Sequence, residues 1–76
     1  METIADLKIG QRAVVKSISS KNKLLLMRLL SMGIVEGTIV QADSKAPLGD
    51  PINISTRGYN LALRLKEAEH VEVSII

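Results

Sequence analysis

Apolar and polar positions along this 76-residue chain alternate in short stretches, interrupted by one long stretch of helical period. Residues 4–9 lead into Gly10, with Leu7 and Ile9 expected to point inward. In residues 11–18, Ala13, Val15 and Ser17 share one face and Arg12, Val14, Lys16 and Ile18 the other, which predicts a strand. From 21 to 32 the period lengthens: Leu25, Leu26, Leu29 and Leu30 recur at helical spacing, in residue types that favour helix. Ser19 or Ser20 is the expected N-cap, and Gly33 with Ile34 suits a left-handed, Schellman-type stop. Beyond a turn at Glu36-Gly37, residues 38–42 predict a second strand. Residues 44–51, which hold both prolines, predict a loop. Residues 52–56 alternate as a third strand, and Arg57-Gly58 is a tight turn. Residues 59–65 place Leu61, Leu63 and Leu65 on one face of a fourth strand, opposite Asn60, Ala62 and Arg64. A single helical turn over 66–70 precedes a fifth strand built on Val71, Val73 and Ile75. The expectation is one mainly β domain over residues 1–76, a small and partly open barrel of about five strands with an inserted α-helix.

The helix carries more apolar surface than a barrel can cover. At 100° per residue, Leu25, Leu26, Leu29, Leu30 and Met32 are expected to face the barrel. Arg28 and Ser31 mark the opposite side, flanked by Leu24 and Met27, which are expected to be partly exposed. Scattered surface leucines are ordinary. A leucine and methionine patch around an arginine is also what an adaptable docking surface looks like.

Composition narrows the chemistry. The chain holds 28 Ile, Leu, Val and Met residues, but Tyr59 is its only aromatic and it has no cysteine. That excludes disulfides, thiol catalysis and a cysteine-ligated zinc site. One aromatic cannot form a base-stacking platform or a groove for proline-rich peptides. A net charge of +2 is too weak for a dedicated nucleic-acid binder. The longest apolar run, residues 24–27, is far short of the ~20 residues of a membrane span. No basic and apolar leader is visible, so the expected location is the cytoplasm.

No catalytic constellation stands out. No serine sits in a nucleophile elbow, and no glycine-rich loop ends in Gly-Lys-Ser/Thr. A metal site would have to combine His70 with Glu67, Glu69 or Glu72, fewer ligands than a closed site wants, so neither a metal nor another cofactor is expected. Gly33 and Gly37 fit the GxxxG spacing, which pairs helices only within membranes, and are better explained as a helix stop and a turn. Pro47, Gly49 and Asp50 shape the long loop, where Leu48 is either a core anchor or an exposed contact, and Gly58 belongs to the tight turn.

The ordered set Arg28-Leu29-Leu30-Ser31-Met32-Gly33-Ile34, Gly37, Pro47-Leu48-Gly49-Asp50-Pro51-Ile52, Arg57-Gly58-Tyr59 and Leu61-Ala62-Leu63-Arg64 resembles the FeoA family. These are small cytosolic proteins of bacterial ferrous iron uptake. The resemblance spans Leu7 to Val73. Similar domains end the iron-dependent repressors of the diphtheria-toxin-regulator type. The resemblance implies an SH3-like barrel with an inserted helix and an accessory role to FeoB, the permease with a cytosolic GTP-binding domain. It implies no enzyme activity and no iron carried by this chain.

Leu24, Met27, Arg28 and Ser31 are the expected partner-contact residues. An RNA-binding SH3-like module is the alternative, though with this charge and one aromatic it would rely on phosphate contacts. An arginine supplied to the permease GTPase (Arg28, Arg57 or Arg64) is a third reading, set against arginines that serve solubility. An exposed edge strand leaves self-association open.

Overall fold

The alternating stretches become strands of one antiparallel sheet in the computed structural model, which describes residues 2–19 and 21–76. The strands are β1 (Glu2–Thr3), β2 (Arg12–Ile18), β3 (Ile39–Lys45), β4 (Ile52–Thr56), β5 (Tyr59–Leu63) and β6 (Val71–Ile75). Helix α1 (Lys23–Ser31) joins β2 to β3, and the single turn α2 (Leu65–Ala68) joins β5 to β6. The sheet order is β1-β6-β2-β3-β4-β5, so β1 and β5 are its edges.

Among the described residues there are thus six strands where the pattern predicts five. The extra one, β1, is two residues long, too short to show a period, and it pairs with β6. The next residues do not extend it. Ile4–Asp6 closes a 3-10 turn, and Gln11 donates its N–H to Lys8 O at 2.9 Å. Leu7 is buried as expected, but Ile9 lies in this turn and is 63% exposed.

A bulge in β2 changes which side chains face inward. Val15 pairs with Val73 and Ser17 with Glu72, so the register shifts between them. Ser17 is therefore exposed instead of sharing the inner face of Ala13 and Val15, and Ile18 packs against the core. A second bulge, between Ala42 and Ser44, carries β3 on to Lys45, into the stretch expected to be loop. Strand β5 stops at Leu63, and Leu65 opens α2 instead of ending the strand.

Apart from that early end, the β4–β5 hairpin follows the pattern. Thr56 pairs with Tyr59 across Arg57-Gly58. Both turn residues have positive φ, 52° and 87°, the type I′ geometry that matches strand twist.

The core combines Ile4 and Leu7 with inward positions of five strands: Ala13, Val15, Val40, Ala42, Ile52, Ile54, Leu63, Val71 and Val73. Leu29, Ile34 and Ala68 close it from the helical connections. The two buried threonines are satisfied: Thr56 Oγ1 donates to Ile39 O at 2.9 Å and Thr38 Oγ1 to Gly33 O at 3.2 Å.

Candidate functional site

Helix α1 begins two residues later than its pattern predicts, and Asn22 caps it. The Asn22 side-chain oxygen accepts the N–H groups of Leu24 and Leu25 at 3.0 and 3.1 Å. Ser19 does not cap. Its N–H donates to His70 O, and its carbonyl bonds His70 Nδ1, both at 2.8 Å. Ser20 lies outside the described residues. The helix ends as expected: Gly33, at φ 81°, donates to Leu30 O and Ile34 N–H donates to Leu29 O, each at 3.0 Å. Gly33 is constrained twice, because a Cβ there would sit 2.9 Å from the Tyr59 hydroxyl and 3.4 Å from the Arg57 side chain.

Capped at both ends, α1 presents two faces. Leu29 is fully buried, and Leu25 and Met32 pack on the core around it. On the outer face Leu24 is 79% exposed, Met27 65% and Leu30 47%. Leu30 was expected to face the barrel; it lies about 140° from Leu25, so when Leu25 and Leu29 turn inward it must turn out. Leu26 is half-buried.

Ser31 lies between Leu24 and Met27 on this face, and Arg28 lies beside Leu24 at its edge. Ser31 is exposed, and its hydroxyl donates back to Arg28 O at 2.7 Å. Arg28 is half exposed and forms an ion pair with Glu67 of α2. Glu67 Oε1 also accepts the Arg64 N–H at 3.0 Å. Partial burial pushes the Glu67 carboxyl up. The Arg64 N–H bond, the Arg28 hydrogen bond and the charges of both arginines outweigh that and hold it below the usual carboxylate range. Glu67 is the partner that sequence reasoning missed: it is 39 residues from Arg28, with no local signal linking them.

A cleft of about 360 Å³ lies where α1, β5, α2 and the long loop meet, lined by Arg28, Asp50, Pro51, Ala62, Arg64 and Glu67. The loop is fixed on both sides. Pro47 occupies the second position of a turn closed by Gly49 N–H on Ala46 O at 2.6 Å, and Gly49 has φ 83°. The Asp50 carboxylate accepts the Leu65 N–H at 3.1 Å, tying the loop to the start of α2. Leu48, at its tip, is 95% exposed. Gly37 makes the expected turn, at φ 90°, with Thr38 N–H donating to Val35 O.

Among the described residues no three His, Cys, Asp or Glu side chains come together where they could hold a metal ion. No helix among them is long and apolar enough to cross a membrane.

The FeoA domain model matches residues 2–75. A fusion protein of Fe(2+) transport protein A and the Fe(2+) transporter FeoB from Porphyromonas gingivalis is 32% identical over 73 residues, 96% of this chain. The chain spans 8% of that protein's length. The solution structure of a FeoA-like protein from Clostridium acetobutylicum superposes with a TM-score of 0.89 at 35% identity, covering 97% of this chain and 85% of that one. The crystal structure of Stenotrophomonas maltophilia FeoA with zinc, described as a prokaryotic SH3 domain protein, gives 0.86 at 31% identity, covering 97% and 91%. A manganese-dependent transcriptional repressor shares the fold alone, at 17% identity, a TM-score of 0.91, and coverage of 99% and 36%. Motif order, six-stranded SH3-like architecture and these likenesses agree: the chain belongs to the FeoA family.

Proposed function

We propose that this protein is an accessory factor of bacterial ferrous iron uptake. It binds the cytosolic part of a FeoB-type permease, supports or regulates transport, and leaves the passage of iron to the permease. The observation that carries this reading is the Porphyromonas gingivalis fusion, in which a domain 32% identical to this chain shares a polypeptide with the transporter. Two domains joined in one chain meet at high effective concentration, which favours a contact between them.

The outer face of α1 is the surface we assign to that contact, with Leu24 and Met27 as apolar anchors, Ser31 between them and Arg28 beside Leu24. Exposed apolar side chains on a short, doubly capped helix suit docking, because the helix is already ordered and little conformational entropy is lost on binding. Methionine adapts to an irregular partner surface. Titration of the protein with the purified cytosolic GTP-binding domain of FeoB tests the reading. Saturable binding is expected. Absence of binding both with and without guanine nucleotide overturns it.

A further inference from the structure

The two edges of the sheet are handled differently. Strand β1 is two residues long and offers little to pair with. Strand β5 runs Tyr-Asn-Leu-Ala-Leu with no charge, proline or bulge to blunt it, unlike most exposed edges.

Its backbone register fixes which groups are free. The two-residue turn makes Thr56 and Tyr59 a hydrogen-bonded pair, so Leu61 and Leu63 bond to β4 in alternation. The N–H and C=O groups of Asn60 and Ala62 therefore point away from the sheet. Among the described residues no backbone hydrogen bond beyond the β4–β5 ladder reaches either residue, and both are exposed.

We infer that β5 is a self-association edge, and that a second copy of this chain pairs with it antiparallel about a twofold axis at Leu61. In that register Asn60 faces Ala62 of the other copy, and the two residues exchange both backbone bonds on each side of the axis. Leu61, half-buried in one copy, meets its own counterpart. Tyr59 faces Leu63, and none of the five paired positions carries a charge, so no like charges oppose each other. This self-match is why a second copy is favoured over an unrelated extended segment. The inference does not rest on the permease reading: the pairing uses the backbone of β5 and none of Leu24, Met27 or Ser31, while Arg28 lines the cleft beside Ala62.

Sedimentation equilibrium at protein concentrations up to ~1 mM tests it. The expected result is a reversible monomer–dimer equilibrium, with Asn60 and Ala62 amide exchange slowing as dimer accumulates. Asn60→Lys with Ala62→Lys places like charges opposite each other at both pairs and is expected to weaken the dimer about tenfold or more. Asn60→Lys with Ala62→Glu restores opposite charges and is expected to recover it. Circular dichroism checks that these exposed substitutions leave the fold intact. A wild type that stays monomeric, a dimer indifferent to the lysine pair, or a lysine–glutamate variant that fails to recover overturns the inference. So does a dimer dissolved by Leu24→Glu with Met27→Glu. If the variants misfold, unchanged Asn60 and Ala62 exchange in a wild-type dimer also overturns it.

Discussion

The two faces of α1 have the same composition and opposite environments. Leu25, Leu29 and Met32 close the core, while Leu24, Met27 and Leu30 stand in solvent. Each face has two leucines and one methionine, so residue type cannot account for the difference. Position on a 3.6-residue turn does. The inner face belongs to the fold. The outer face adds nothing to the core, and it is the surface we propose for a partner.

Substitution series separate the faces, beginning with the largest effect. Leu29→Ala removes a fully buried side chain beside Ile34 and is expected to cost ~2–5 kcal/mol in urea unfolding. Leu24→Ala and Met27→Ala are expected to stay within about 0.5 kcal/mol. Equal losses on both faces would break the contrast. Gly33→Ala is expected to cost ~1–3 kcal/mol, because alanine must adopt φ near 81° and its Cβ presses on the Tyr59 hydroxyl. Combining it with Tyr59→Phe should recover the steric part and leave the backbone part. Asn22→Ala leaves the N–H groups of Leu24 and Leu25 without their side-chain acceptor, an expected loss of ~1 kcal/mol, visible as a lower thermal midpoint.

A smaller effect tests the flank. Glu67 has a depressed pKa, so its stabilisation is present above the usual carboxylate range and is lost as pH falls through the folded value. Stability of the parent protein is therefore expected to fall more steeply with acidification than that of Glu67→Gln. Parallel pH profiles would show that the Arg28–Glu67 pair contributes nothing in solution.

Much of this was legible in the chain because the controlling signals are local. Arg57-Gly58 between two alternating runs specifies the β4–β5 hairpin, and Gly33-Ile34 specifies the helix stop, since each is decided within a few residues. The bulges in β2 and β3 were not legible: where the ladder slips depends on the strands opposite, so Ser17 and Ile18 exchanged roles. The N-cap was missed although asparagine is as good a cap as serine: Asn22 sits inside the stretch whose pattern reads as helix. At the candidate site, exposure of Leu24 and Met27 followed from periodicity alone. The Glu67 contact joins residues 39 positions apart and needed the fold.

The most direct measurement compares the double variant Leu24→Glu, Met27→Glu with the parent protein, by thermal unfolding and by titration with the FeoB cytosolic domain. The expected result is an unchanged unfolding midpoint and binding weakened about tenfold or more, the effect of charging two apolar anchors at an interface centre. Binding of parental strength by the folded double variant would contradict the assignment of the outer face of α1 to the permease.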